Sequence, residues 1–133
     1  MAEYAKVTRD GFLLRLKNHG PENLDFAWDS FEENVDLSGI NFQEADLSGV
    51  RMVGANLRGA DLQGVRFREY QADYDVVWSA DLTNADLTDS NLVGASFNRA
   101  IVTGAKFHHV RLSGSEFSAA QDLGSTLLTV KIG

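Results

Sequence analysis

A five-residue period runs through most of this chain. Large apolar residues stand at Leu37, Phe42, Leu47, Met52, Leu57, Leu62 and Phe67, and again at Leu82, Leu87, Leu92, Phe97, Val102, Phe107, Leu112 and Phe117. A period of five belongs neither to a helix (3.6) nor to a strand (2.0). Fixed-period self-similarity is the mark of a repeat architecture. With 44% of all residues apolar, fifteen such centres arise by chance less often than about once in 100,000.

Other positions of the repeat are fixed too. Two residues before each centre stands a small or β-branched residue, such as Val35, Ala45, Ala60, Ala80, Ser90 or Ala100. Immediately before the centre, Asp36, Asn41, Asp46, Asn56, Asp61, Asp81, Asp86 and Asn91 supply a short carboxylate or amide. Two residues after it Gly is common, as in Gly39, Gly49, Gly64 and Gly104. One large and one small inward residue in every five require a chain that turns a corner at each repeat. Asp and Asn stabilise such corners by bonding nearby backbone, and Gly tolerates their dihedral angles. Four corners close a square coil of twenty residues. Stacked coils then satisfy one another's backbone at about 4.8 Å spacing. If the two blocks share one phase, Leu37, Leu57, Phe97 and Phe117 form one ladder, and Asp46, Arg66, Asp86 and Lys106 form an alternating charge column.

The phrases Ala45-Asp46-Leu47-Ser48-Gly49, Ala60-Asp61-Leu62, Ala80-Asp81-Leu82-Thr83-Asn84 and Ala85-Asp86-Leu87-Thr88-Asp89 resemble the pentapeptide repeat family. The resemblance implies an all-β solenoid, a right-handed quadrilateral β-helix, over residues 24–119. Handedness is part of that implication and is not contained in the spacing. The motif residues are scaffold and say little about function.

The flanks read differently. Residues 4–18 are expected to form a capping helix, with Thr8 or Asp10 at its start, Val7, Phe12, Leu13 and Leu16 inward, and His19-Gly20-Pro21 at its end. Residues 1–23 thus form an N-terminal cap and connector. Leu24-Asp25-Phe26 and Ser30-Phe31 read as two lead-in repeats, with Asn34 as an extra residue. The solenoid is expected to end near Phe117. Residues 120–133, with the β-favouring run Thr126–Ile132, serve either as a C-terminal cap or as a homodimer strand through 124–132.

Residues 70–79 break the period. Strict register would bury Tyr70 and Asp75, and an unpaired buried carboxylate is costly. The preferred parse keeps Ala72-Asp73-Tyr74 as a repeat and lets Val77, Trp78 and Ser79 bulge outward. Insertions on solenoids tend to carry binding residues, and Tyr and Trp are common interface anchors. Tyr70, Tyr74 and Trp78 are therefore candidate protein-binding residues. The basic residues Arg58, Arg66 and Arg68 are grouped with them as a second candidate patch.

Catalytic chemistry finds no footing in the sequence. Carboxylates fall at solvated corners, where nothing shifts their pKa. Adjacent residues of an extended stretch point to opposite faces, so His108-His109 makes a poor chelate. There is no cysteine, no phosphate loop and no nucleophile triad spacing. No enzyme activity, catalytic residue, metal or cofactor is expected. A net charge of −7 argues against direct nucleic-acid binding. No apolar run is long enough to span a membrane, and the start lacks a secretory pattern, so a cytoplasmic location is expected.

The resemblance implies two functions. One is a non-enzymatic scaffold of the kind found among bacterial and cyanobacterial relatives, regulating an unidentified partner protein by steric occupancy. The other is a DNA mimic that inhibits or protects a type II topoisomerase (DNA gyrase). Residues 35–119 carry eleven acids and seven bases, a net of −4. Four to five coils span roughly 20 Å, over which duplex DNA carries about twelve phosphate charges. That charge density is only about a third of DNA's, which favours the scaffold.

Overall fold

The computed structural model describes residues 6–20, 26–27, 29–121 and 131–132. From residue 26 onward the chain winds as a four-sided coil. The repeat centres from Leu37 to Val102 donate their backbone N–H to a carbonyl of the next coil, as Leu37 does to Asn56, at 2.8 Å. From Arg51 onward the residue before each centre donates downward, as Asn56 does to Val35 O at 2.9 Å. These paired bonds form a ladder of isolated parallel bridges along every face. Along the faces, backbone satisfaction therefore comes from neighbouring coils.

The corner chemistry follows from the repeat. All eight Asp and Asn residues that precede a centre accept the backbone N–H two residues on. The residue two after the centre takes positive φ after fourteen of the fifteen centres, whether it is Gly or one of Glu44, Asn84, Asp89, Arg99, His109 and Ala119. That is the left-handed third residue that a type II turn demands. The exception is Glu69, where the chain leaves the coil.

The bridges also fix how the blocks stack. Asp36 bridges Asn56 and Asp46 bridges Arg66, steps of twenty residues, but Arg51 bridges Asp81 and Asn56 bridges Asp86, steps of thirty. Beyond the break the step returns to twenty, as in Asp81 to Ile101. Residues 70–79 thus contribute nothing to the stack, and the second block is shifted by half a coil from the shared-phase expectation. Face 1 stacks Leu37, Leu57, Leu87 and Phe107, and face 2 stacks Phe42, Leu62, Leu92 and Leu112. Face 3 stacks Phe26, Leu47, Phe67, Phe97 and Phe117, and face 4 stacks Phe31, Met52, Leu82 and Val102. The expected ladder of Leu37, Leu57, Phe97 and Phe117 is corrected accordingly. So is the charge column: Asp46 and Arg66 continue into Ser96 and Glu116, and Asp86 and Lys106 lie above Asn56.

The large centres from Phe26 to Phe107 are buried, as are the small residues opposite them. Leu112 and Phe117 are partly buried and pack against this core. On face 3, Phe97 lies between Phe67 and Phe117, with ring centroids 5.1 and 4.9 Å away. Such aromatic pairs add about 0.5–1.5 kcal/mol beyond area burial. Ser90 occupies a small interior position, and its buried hydroxyl has no hydrogen-bond partner among the described residues.

Helix α1 (Arg9–His19) covers the N-terminal end of the coil. Thr8 caps it by accepting the Gly11 N–H at 3.1 Å, and the Gly20 N–H closes its end on Leu16 O. It starts later than expected because Val7 is extended: Val7 N donates to Ser30 O and Val7 O accepts from Glu32 N. Those bonds hold residue 7 on the lead-in turn and leave the helix to start after Thr8. Phe12 is fully buried, its ring centroid 4.9 Å from Phe26 and 4.8 Å from Phe42. Phe26 and Phe31 do stack as lead-in repeats, and Asn34 takes the left-handed corner at φ 59°.

The ladder runs past Phe117 to Gln121, which bridges Ile101. Strand β3 (His108–Val110) pairs in parallel with a short terminal strand (Lys131–Ile132) of the same chain. The rest of the C-terminal run, including most of 124–132, lies outside the described residues, as do Leu24 and Asp25.

Candidate protein-binding site

Strands β1 (Tyr70–Asp73) and β2 (Val76–Trp78) form an antiparallel hairpin that accounts for the break. Tyr70 faces Trp78 and Asp73 faces Val76, with an irregularity in register between Gln71 and Asp73. The expected repeat at Ala72-Asp73-Tyr74 does not exist. These residues have β-strand and turn conformations, and Tyr74 sits at the tip, 93% exposed. The physical reason is pairing: the hairpin satisfies its backbone across its own strands, so none of the insertion has to enter the core.

The hairpin leaves the corner between faces 3 and 4. Its base rests on Gly49, the same corner one coil below. A Cβ at Gly49 would lie 2.6 Å from the Tyr70 Cβ, so this glycine permits the close approach as well as the positive φ of 68°. Tyr70 and Trp78 stack with centroids 6.4 Å apart. Val76, Val77 and Trp78 are 42–44% exposed. Among the described residues, the exposed large apolar side chains are these three, Tyr74 and Leu14. A groove of about 380 Å³ lies between β2 and face 4, lined by Gly49, Arg51, Val77, Trp78, Asp81 and Ile101.

Tyr70, Tyr74 and Trp78 are therefore brought together on one projecting element. The three arginines are not. Arg58 lies on face 1 and pairs with Asp86 at 3.2 Å, in a groove shared with Lys106 and His108. Arg66 and Arg68 lie on the opposite face, 3, where Arg68 Nε donates to Ser96 Oγ at 3.0 Å. The ten-residue excursion, by shifting the stack, sets Asp86 beside Arg58. At the hairpin's root, Glu69 pairs with Arg99 at 3.4 Å.

Electrostatics elsewhere is local. Burial pushes the Asp86 carboxyl upward, but hydrogen bonds from the Thr88 hydroxyl and N–H and from Arg58 outweigh it and hold the pKa below the usual value. Asp36 is lowered as well, chiefly by the Ser38 hydroxyl and N–H. No group of three or more metal-ligating side chains occurs among the described residues. No helix among them is long and apolar enough to cross a membrane.

Sequence reasoning missed several residues that shape this site. Val76 and Val77 were legible as a β-favouring pair, but the assumed repeat at Ala72-Asp73-Tyr74 hid their hairpin. Ile101 was also visible, an apolar residue in the outward position that polar or charged residues fill in the other fourteen repeats. Arg51 and Asp81 meet at 3.6 Å only because the stack skips thirty residues.

Comparison with known proteins agrees with the architecture. Among solved structures, the chain is similar to HetL, a pentapeptide repeat protein involved in heterocyst differentiation regulation from the cyanobacterium Nostoc sp. strain PCC 7120. Identity is 27%, with a TM-score of 0.63, over 77% of this chain and 41% of that one. The chain thus spans about two-fifths of HetL's length. A second similar structure is alr5209, a pentapeptide repeat protein from Nostoc PCC 7120, at 26% identity and TM-score 0.41, covering 98% of this chain and 100% of that one. QnrB1, a plasmid-mediated fluoroquinolone resistance protein, is similar at 16% identity and TM-score 0.39, over 81% of this chain and 76% of that one, which bears on neither mechanism nor partner. No curated protein sequence matches. The family model for pentapeptide repeats matches residues 33–69 and 80–118 in eight copies, and leaves out the hairpin. With its four-sided stack and this match, the chain belongs to the pentapeptide repeat family and folds as that family's right-handed quadrilateral β-helix.

Proposed function

We propose that this protein is a non-enzymatic, protein-binding scaffold that regulates a partner by occupying its surface, with the 70–79 hairpin as the contact element. The observation that carries this reading is the exposure of Tyr74, Val76, Val77 and Trp78 on an insertion that the coil does not need. Apolar side chains held in water cost free energy that a partner would recover. Tyr and Trp have large area and little rotamer entropy to lose, which suits them as anchors. HetL is involved in heterocyst differentiation regulation, and the likeness to it lends the regulatory reading support. The DNA-like alternative has less support, because Asp81 and Asp86 are paired with Arg51 and Arg58, and the columns that hold them mix acids with bases and neutral residues.

The test is affinity capture from lysate of the source organism, using the wild type, Trp78→Ala and a chain lacking residues 70–79. The captured protein is identified, purified and rebound by calorimetry. A single partner bound by the wild type and lost in both variants supports the reading. Capture of DNA gyrase by all three would move the contact to the coil faces and favour mimicry. Absence of any saturable partner would leave an inert module and refute the proposal.

A further inference from the structure

The hairpin's chemistry is more specific than exposure alone. Residues 69–79 contain three acids, Glu69, Asp73 and Asp75, and no base. Glu69 is engaged by Arg99, whereas neither Asp73 nor Asp75 makes an ion pair among the described residues. Both flank Tyr74, the most exposed aromatic among the described residues. Behind them, Val77, Trp78 and Ile101 form the apolar wall of the groove, and the sheet ends at β2 after only two strands. The groove volume of about 380 Å³ is at the lower end of what binding sites offer.

Resting on the reading of the hairpin as a protein contact, we propose that it receives an extended, basic segment of the partner, laid along β2 in the groove against face 4. Apolar residues of the segment enter the groove lined by Val77, Trp78 and Ile101. Its lysines or arginines meet Asp73 and Asp75 at the hairpin tip. The edge of β2 turned away from β1 offers backbone groups for strand addition. The two unpaired carboxylates exclude an acidic segment, because like charge placed against them is repelled. Arg51 is no obstacle, since Asp81 and Glu33 already hold it at 3.6 and 3.7 Å.

The experiment uses two fluorescein-labelled heptapeptides, Lys-Val-Lys-Leu-Lys-Val-Lys and its glutamate counterpart, titrated with the full chain by fluorescence anisotropy. The lysine peptide is expected to bind, and the glutamate peptide is not. Asp73→Asn/Asp75→Asn should weaken binding about fivefold and flatten its salt dependence. Val77→Ser, which removes apolar wall without changing charge, should weaken it without altering the far-UV spectrum. Deletion of 70–79 should abolish it. Equal binding of both peptides, undiminished binding to the deletion chain, or no binding of the lysine peptide up to millimolar concentration would each overturn the proposal. The partner-capture experiment separates the two readings. A hairpin-dependent partner together with a silent lysine peptide refutes the basic segment and leaves the scaffold intact.

Discussion

Excision of residues 70–79 with Glu69→Gly should leave a stable, uninterrupted solenoid. After the cut the sequence reads Val65-Arg66-Phe67-Arg68-Gly-Ala80-Asp81-Leu82, in which Ala80 follows Val65 by five positions. Ala80 is already buried in the small interior site, and Asp81 N already bonds Val50 O at 2.8 Å. The ends to be joined lie close, because directly opposed residues of an antiparallel pair such as Tyr70 and Trp78 are only about 4.5–5.5 Å apart at Cα. A peptide link needs about 3.8 Å. The new corner would mirror its neighbours, where Ala85 N donates to Leu82 O and Ala100 N to Phe97 O. Position 69 then needs positive φ, which costs a non-glycine residue about 1–2 kcal/mol; glycine removes that cost. The lost Glu69–Arg99 pair is exposed and contributes at most about 1 kcal/mol. Removing a ten-residue closure returns about 2 kcal/mol. The expected change in urea unfolding free energy is therefore between a loss of about 1 and a gain of about 2 kcal/mol. A loss above about 3 kcal/mol, or loss of a cooperative transition, would mean that the hairpin holds the coils together and that its role as a dispensable projection is wrong.

Three further predictions concern the scaffold. Phe12→Ala should cost about 3–5 kcal/mol locally, reducing amide-exchange protection in residues 26–47 while sparing 97–117, since coils couple mainly to neighbours; uniform loss would contradict this. Ser90→Ala should raise stability by about 1 kcal/mol in denaturant titration, because it removes a buried hydroxyl with no partner among the described residues; a destabilised variant would show that the hydroxyl is satisfied. The lowered pKa of Asp86 stabilises the fold at pH above the ordinary carboxylate value, and this contribution is lost as pH falls through the folded pKa, below about 4. Thr88→Val removes a bond that lowers that pKa, so its urea midpoint should approach that of the wild type at acid pH and fall short of it at pH 7; a pH-independent difference would argue against the linkage.

Taken by itself, the sequence determined the corner-turning period, the inward residues and the bonding of each Asp and Asn, because these are local properties of a five-residue unit. Asp86 and its seven counterparts do what short acids and amides do beside a turn. Phe12 and the helix cap were legible from composition and punctuation, though not the start at Arg9, which depends on Val7 bonding a distant strand. What the tertiary structure decided was the path across the break. Locally, residues 70–79 fit either a distorted coil or an excursion, and the choice depended on whether hairpin pairing satisfies more backbone than a coil with Tyr70 and Asp75 turned inward. That choice moved every later residue by two faces. It joined Arg51 to Asp81 and Arg58 to Asp86, and put Ile101 beside Trp78. Coil-to-coil partners lie twenty or thirty residues apart, and no five-residue grammar records which.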